Sequence, residues 1–159
     1  MIENKHLGAY GIVIKDEKIL LIKKCRGPYL GKLDLPGGTV EFCERVEDAL
    51  KREFKEETGL EITNYKLFDV DSVTVDLQDD DKLIRTHHIG VFYKVLDYNN
   101  EIKKEIKADE INDDSLGAEF FDINSLSKNN LSLIAILELE KLGYKLKWIS
   151  KKNYLNYKI

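Results

Sequence analysis

The spacing of apolar and polar residues changes from strand-like to helix-like along the first part of the chain. Residues 8–23 form two apolar runs separated by Asp16 and Glu17, a pattern typical of a β-hairpin. Residues 24–38 contain both prolines and four glycines, which predicts a loop. In residues 45–58 the apolar side chains recur every three or four positions, and Gly59 follows where a helix C-cap is expected. We therefore predict a helix there.

The rest of the chain predicts more strands and a second helix. Residues 67–77 and 83–98 are rich in β-formers, and the segment 78–81 between them, a glutamine and three aspartates, favours a turn, so the two runs are predicted to pair as an antiparallel hairpin. The remaining elements are a polar loop at 103–115, a short strand at 118–123 and a helix at 131–142.

Composition restricts the class of protein. The chain has 159 residues and 18.4 kDa, the usual size of one domain, and it is 43% apolar and 34% charged, unlike disordered or fibrous chains. Cys25 and Cys43 are too few for a disulfide scaffold and have no zinc-site spacing, which favours a reducing compartment. With no membrane-length apolar run and no signal-peptide core, we expect a cytoplasmic protein that does not span a membrane.

The net charge of -4 is unevenly distributed. Residues 141–159 contain six lysines and no acid, so residues 1–140 carry the remaining charge of -10. An acidic body argues against nucleic-acid binding over most of the surface, because phosphate contacts depend on clustered Lys and Arg. The acids are either spread for solubility or gathered around a cation. The basic tail, about 144–159, is interpreted most simply as a solvated C-terminus.

Two glutamates occupy positions on the predicted helix where core residues are expected. At 100° per residue, Leu50 and Phe54 lie in the apolar stripe, Glu53 and Glu57 point from its middle, and Glu56 lies at its margin. Burying an unpaired carboxylate costs several kcal/mol, so a cation must meet them. Two interpretations remain open: a divalent cation that prefers oxygen ligands, such as Mg²⁺, Mn²⁺ or Ca²⁺, or a salt-bridge network with Arg or Lys from elsewhere.

The segment 38–60, GTVEFCERVEDALKREFKEETGL, fits a longer pattern, G-x5-E-x7-R-E-U-x-E-E-x-G-U, in which U is a bulky apolar residue. The positions that match are Gly38, Glu44, Arg52, Glu53, Glu56, Glu57 and Gly59, with Phe54 and Leu60 at the U positions. The segment resembles a Nudix box, and the likeness extends over about residues 7–142. It implies the Nudix-type α/β/α sandwich, with a mixed β-sheet between the two predicted helices, as a single domain over residues 1–159.

The resemblance implies an enzyme, a pyrophosphohydrolase. Nudix hydrolases use Mg²⁺ or Mn²⁺ to hydrolyse the diphosphate linkage of a nucleoside diphosphate joined to another moiety, by attack of water on phosphorus. The metal ligands implied by the motif are Glu53, Glu56 and Glu57, with the backbone carbonyl of Gly37. Arg52 and Glu44 match the positions that orient the loop and the helix glutamates.

The general base and the substrate contacts are less determined. We favour Glu53 as the base, with Glu110 or Asp114 as an acid contributed by the later polar loop. Arg26 and Tyr29 lie on the loop before the box, where contact with substrate and simple exposure to solvent are equally reasonable expectations.

Three further residues have alternative interpretations. His87 and His88 are adjacent in a predicted strand, so their side chains point to opposite faces and cannot bind one metal. One of them can face the substrate, although a hydrogen-bonded strand histidine is the simpler interpretation. Cys43 stands where many Nudix boxes have Gly, and we interpret it as a small buried side chain rather than a redox-sensitive thiol.

Two other functions stay open. The chain can be a non-catalytic nucleotide-sensing Nudix module, which the intact acids disfavour, or an RNA 5′-end pyrophosphohydrolase that uses the basic tail. The expected partner is a nucleotide-type small molecule; nucleic acid is disfavoured without being ruled out. The sequence does not decide the oligomeric state, and a homodimer is one of the options.

Overall fold

The computed structural model describes residues 1–27, 29–79, 81–102, 115–148 and 157–158. The strands and helices, in chain order, are β1 Ile2–Ile12, β2 Ile14–Lys15, β3 Lys18–Lys24, β4 Leu33–Asp34, β5 Gly37–Thr39, α1 Val46–Thr58, β6 Glu61–Asp79, β7 Lys82–Asn99, β8 Ser115–Asp122, α2 Leu133–Lys141 and β9 Tyr157–Lys158. The predicted loop acids Glu110 and Asp114 lie outside the described residues.

A five-stranded sheet has the order β5-β1-β7-β6-β9. The predicted hairpin is confirmed: β6 and β7 are antiparallel over almost their whole length, up to the pair Asp79↔Lys82. β1 runs parallel to β7, from Ile2↔Ile84 to Ile12↔Lys94, and antiparallel to β5. The parallel pair joins residues about 80 positions apart, a long-range pairing of the kind that needs a crossover connection.

A second sheet is built around β3, which pairs with β2, β4 and β8. The predicted turn between the first two apolar runs is confirmed at Asp16 and Glu17, whose φ angles of 51° and 58° suit a two-residue hairpin turn. The five-stranded sheet, with parallel and antiparallel pairs, is the mixed sheet that the sequence predicts, and the strands around β3 form a second sheet beside it.

The core confirms that the sheets lie between two helices. Ile19 and Leu21 of β3 belong to the apolar cluster that contains α2, whereas Leu20 and Ile22 belong to the cluster that contains α1. All four side chains are fully buried, because successive residues of a strand point to opposite faces and both faces of β3 are covered. The α/β/α sandwich expected from the sequence is the architecture observed.

Both helices end close to their predicted limits, and local chemistry explains why. Gly59 has φ 77°, and its N–H donates to the carbonyl of Lys55 at 2.8 Å, which closes α1 with a left-handed cap. At the start of α2 the hydroxyl of Ser132 accepts a hydrogen bond from the N–H of Ala135 at 3.2 Å. Within the described residues, neither helix is long and apolar enough to cross a membrane.

The expectation of a buried Cys43 is wrong. Its side chain is exposed and its φ is 64°, in the left-handed region that favours glycine. The backbone of this turn, rather than packing, therefore accounts for the glycine found there in many Nudix boxes. Neither Cys43 nor the half-buried Cys25 belongs to a disulfide.

The expectation of a solvated basic tail is wrong for its described part. Tyr144 and Leu146 pack against the core cluster of α2, and the carbonyl of Lys147 accepts a hydrogen bond from the N–H of Lys128 at 3.0 Å. Further on, β9 pairs with Thr74 and Val75 of β6. The tail is basic in composition, yet it contributes apolar side chains and backbone pairing to the domain.

Candidate active site

Three glutamates of α1 line one cleft and differ in burial as their helical angles predicted. The side chain of Glu57 is 4% exposed, that of Glu53 18% and that of Glu56 47%. The grading follows from the helix geometry, because Glu57 and Glu53 point from the middle of the buried face and Glu56 from its edge. The cleft therefore contains carboxylates in surroundings that range from fully buried to half-exposed.

Glu57 is the most buried of the three, and a backbone N–H and an ammonium lie beside its carboxylate. Its Oε2 accepts a hydrogen bond from the N–H of Gly37 at 2.8 Å, and the ammonium Nζ of Lys24 lies 3.9 Å from its Oε1. Burial raises the pKa of Glu57 well above the usual value, against the opposing influence of Lys24 and the Gly37 N–H. The site thus holds a buried carboxyl group whose ionised form is favoured by nearby positive charge.

Arg52 braces the other carboxylates. Its guanidinium forms a two-point hydrogen bond with Glu44 at 2.9 and 2.8 Å and donates to Glu53 Oε1 at 2.7 Å and to the carbonyl of Thr39 at 3.0 Å. The bond from Arg52 lowers the pKa of Glu44 to about 2. The pKa of Glu53 is raised by burial, although Arg52 counteracts the shift. Arg52 and Lys24 are the cations that the salt-bridge interpretation required.

Two glycines allow the backbone to approach the glutamates. Gly37 has φ 141°, and a Cβ there would lie 2.1 Å from the carbonyl oxygen of Ala9 on the paired strand β1. A Cβ on Gly38 would lie 2.6 Å from Glu53 Oε2. At Gly37 the obstacle is backbone, so close packing of the strands requires a glycine there, whereas a side chain at Gly38 would force the Glu53 carboxylate to shift.

Two adjoining cavities make up the site. The cleft of the three glutamates has a volume of about 330 Å³, and a neighbouring cavity has a volume of about 450 Å³. They share His6, Tyr10, Lys24 and Thr39 on their common boundary. Arg26 and Tyr29, the predicted substrate contacts, line the larger cavity, where Tyr29 is buried and Arg26 is exposed. Whether they touch substrate stays a prediction.

A network of rings forms one wall of the larger cavity. The Tyr10 hydroxyl lies 2.7 Å from His88 Nε2 and 3.1 Å from His6 Nε2. Burial lowers the pKa of His88 to about 3, so its imidazole is neutral at physiological pH. His88 is thus the hydrogen-bonded strand histidine that the alternation predicted, and it is buried while His87 is exposed.

Neither Lys24 nor Tyr10 is named in the sequence analysis above. Lys24 is one of two adjacent lysines, and nothing in their order distinguishes it from the exposed Lys23. Alternation along β3 places Lys24 and Lys23 on opposite faces of the sheet. Only the position of β3 next to α1 shows that the face of Lys24 is the one that meets Glu57. Tyr10 carries no motif signal, because its role depends on histidines from two other chain positions.

A second group of acids lies on other elements. Carboxylate oxygens of Asp69, Asp71 and Glu138 lie within 4.8 Å of one another, and the ammonium of Lys141 contacts all three side chains. Glu138 is 1% exposed, and its Oε2 has no hydrogen-bond partner among the described residues. Lys141 already supplies a cation to this cluster, which belongs to neither cavity of the candidate site.

The donor chemistry of the cleft fits a divalent cation. Glu53, Glu56 and Glu57 provide only oxygen donors, at i, i+3 and i+4 on one helix face, which is the ligand type that Mg²⁺ and Mn²⁺ prefer. Because Glu57 is buried, solvent does not stabilise its negative charge, and a bound cation would. The residues present can therefore hold such an ion.

The fold and the box together define a class of protein. The family model described as "NUDIX domain" matches residues 5–138. The chain belongs to the Nudix family, as the box and its flanking segments implied.

Relatives and solved structures agree on the family and differ in the activity they name. An "ADP-ribose pyrophosphatase" of Methanocaldococcus jannaschii is 44% identical over 118 residues, which cover 74% of this chain and 62% of that protein. An "8-oxo-dGTP diphosphatase" of Buchnera aphidicola is 41% identical over 59 residues, 36% of this chain and 45% of that protein. The aligned part of the chain spans less than two thirds of either relative.

A solved structure shows the same fold. The MutT NUDIX hydrolase from Burkholderia pseudomallei superposes with a TM-score of 0.67 at 26% identity, over 87% of this chain and 98% of that one. The agreement covers nearly all of that structure, so the arrangement of sheets and helices described above is that of a Nudix domain.

Proposed function

We propose that the protein hydrolyses the diphosphate linkage of a nucleoside diphosphate joined to another moiety, with Mg²⁺ or Mn²⁺ as cofactor. The observation that carries the proposal is the set of three helix glutamates at one cleft, with Glu57 buried and Glu53 braced by Arg52. Such a site is unfavourable without a bound cation and suited to a phosphate substrate with one.

Each box residue has a definite task in this proposal. Glu53, Glu56 and Glu57, with the carbonyl of Gly37, would hold the cation, which when bound neutralises phosphate charge and makes water a better nucleophile. Arg52 and Glu44 hold the geometry. Glu53, whose Oε1 accepts a hydrogen bond from Arg52 at 2.7 Å, takes the proton of the attacking water. Burial raises the pKa of Glu53, which makes this carboxylate a stronger base than an exposed one.

The water oxygen then bonds to one phosphorus while the bridging phosphate oxygen leaves with the bond electrons. The products are two monophosphates, the expected outcome for a diphosphate diester. ADP-ribose is the first substrate to test, because the relative that bears that activity in its name is 44% identical to this chain. The larger cavity, with Arg26 and Tyr29 in its lining, would take the nucleoside part.

The test is turnover by the purified chain. With Mg²⁺ or Mn²⁺ it should convert ADP-ribose, or another member of a panel of nucleoside diphosphate derivatives and nucleoside triphosphates, to products identified by chromatography. Glu56→Gln and Glu57→Gln should abolish turnover. Glu47→Gln, on the exposed side of the same helix, should retain it; the Glu47 side chain is 40% exposed and lies outside both cavities.

Absence of turnover across the panel would contradict the proposal. Tight nucleotide binding by calorimetry without any product would instead support the non-catalytic sensing module.

A further inference from the structure

We propose that Lys24 is a built-in counterion of the metal-free site, which leaves Glu57 when a divalent cation binds and then faces the phosphates of the substrate. The inference rests on the proposed function, since it assumes that Glu57 is a metal ligand. It concerns a residue outside the Nudix box and assigns it two alternating partners.

The first step is the geometry at Glu57. Lys24 is the last residue of β3, its side chain is 14% exposed, and its Nζ lies 3.9 Å from Glu57 Oε1. The other oxygen, Oε2, is already satisfied by the N–H of Gly37 at 2.8 Å. Lys24 is therefore an electrostatic neighbour on the Oε1 side of the carboxylate, at a distance longer than a hydrogen bond.

The second step is competition. A cation coordinated by Oε1 of Glu57 would sit on the side where the Lys24 ammonium now lies, and two positive charges a few ångströms apart repel each other in a partly buried cleft. Arg52 differs in this respect, because its planar guanidinium is fixed by Glu44, Glu53 and the Thr39 carbonyl. A lysine ammonium is a point charge on a flexible stem, so it is the group that moves.

The third step is the place to which the ammonium moves. Lys24 lines both the glutamate cleft and the larger cavity, so its side chain stands where the two meet. A substrate with its diphosphate at the glutamates and its nucleoside in the larger cavity must pass this boundary. An ammonium released from Glu57 meets phosphate oxygens there, and metal binding would prepare the site for an anionic substrate.

The opposite role for Lys24 predicts the opposite change in metal affinity. If Lys24 served to position Glu57 for coordination, then removing the ammonium would weaken metal binding. If it acts as a counterion that must be displaced, removing it strengthens metal binding. The direction of the change in affinity therefore separates the two roles without any measurement of catalysis.

The experiment is calorimetric titration of the whole metal-free chain with MnCl₂ in the absence of nucleotide. Lys24→Met should bind Mn²⁺ roughly fivefold more tightly than the wild type, because the ion no longer has to displace an ammonium whose unit charge lies 3.9 Å from Glu57 Oε1, an attraction of that size with water-like screening. Lys24→Arg, which keeps the charge, and Lys23→Met, at the exposed neighbour on the same strand, should stay within about twofold of the wild type. Lys24→Gln provides a second uncharged variant.

Two further readouts test the same displacement. Without metal, Lys24→Met should melt at a lower temperature than the wild type, because Glu57 has lost its cation, and saturating Mn²⁺ should raise its melting temperature by more. In the presence of Mn²⁺, AMP should bind more weakly to Lys24→Met than to Lys23→Met. Unchanged or weaker Mn²⁺ binding by both uncharged variants would overturn the inference.

Mn²⁺ binding by Glu57→Gln separates a failure of the role proposed for Lys24 from a failure of the proposed metal site. If this variant binds Mn²⁺ as the wild type does, Glu57 is not a ligand and the proposed site is wrong. If it loses Mn²⁺ binding while Lys24→Met shows no gain, the proposed site stands and the counterion role of Lys24 is wrong.

Discussion

Glu138 is the acid outside the candidate site whose burial has the most direct consequence for stability. It lies on α2, is 1% exposed, and has one oxygen, Oε2, without a hydrogen-bond partner among the described residues. Its other oxygen lies 3.3 Å from the ammonium of Lys141, which also contacts Asp69 and Asp71. Burial raises the pKa of Glu138 to about 7, although Lys141 opposes the shift. We predict that Glu138→Gln stabilises the protein at neutral and alkaline pH.

The sign and size follow from proton linkage. In the folded protein Glu138 keeps its proton up to about pH 7, whereas in the unfolded chain it loses that proton near pH 4.5. The folded state therefore holds more protons between these values, and the stability contributed by this group falls as pH rises through that window. A difference of two to three pKa units corresponds to about 3 kcal/mol, and glutamine, which does not titrate, escapes that loss.

Urea unfolding of both proteins at pH 4.5, 6 and 8 measures the effect. The free energy of unfolding of Glu138→Gln minus that of the wild type should increase by about 3 kcal/mol between pH 4.5 and pH 8. Glu140→Gln, at an exposed acid on the same helix that pairs with Lys128, is the control for the loss of a carboxylate that is not buried. Parallel pH profiles for Glu138→Gln and the wild type would refute the reasoning.

Three further outcomes are expected at the candidate site. Arg52→Lys should lower kcat/KM roughly 10–100-fold, because a lysine cannot form the two-point hydrogen bond to Glu44 while also binding Glu53. Steady-state kinetics with Arg52→Ala as the reference checks this. Unchanged kinetics would show that Arg52 does not position these carboxylates. Gly38→Ala should lose about 1–3 kcal/mol of stability in urea unfolding, since its Cβ would lie 2.6 Å from Glu53 Oε2, and wild-type stability would show that Glu53 can move aside. On acidification, the affinity for Mn²⁺ should begin to fall at a pH above the range in which ordinary carboxylates titrate. Burial raises the pKa of Glu57 and of Glu53, and the ion needs both carboxylates deprotonated. Titrations with Mn²⁺ from pH 8 to pH 5 check this, and an affinity that does not change over that range would contradict the shifts.

Much of the candidate site could be predicted from the chain because it depends on local geometry. The three glutamates belong to one helix, so their common face and their graded burial follow from an advance of 100° per residue. Gly59 marks the end of that helix because only a left-handed residue closes it in this way. Predictions of this kind need no knowledge of what packs against the helix.

Predictions that depended on surroundings were less secure. The turn around Cys43 was misjudged because the side chain was considered without its backbone, whose φ of 64° turns it outward. The tail was misjudged because its lysines dominated the composition, while Tyr144 and Leu146, which pack on the core, are few. The charge of a segment therefore does not show whether the segment is exposed to solvent, because that also depends on what its apolar residues pack against.

The sequence by itself determined the family, the helix that holds the box and the set of carboxylates that demands a cation. Tertiary structure decided what meets those carboxylates: the parallel pairing of β1 with β7 brings Tyr10 and His88 together, and the position of β3 beside α1 brings Lys24 to Glu57. Residues three and four positions apart form one face of a helix, whereas these contacts join residues 33 and 78 positions apart. Long-range contacts of this kind exist only once the sheets are assembled, because no local rule specifies which strand will lie alongside another.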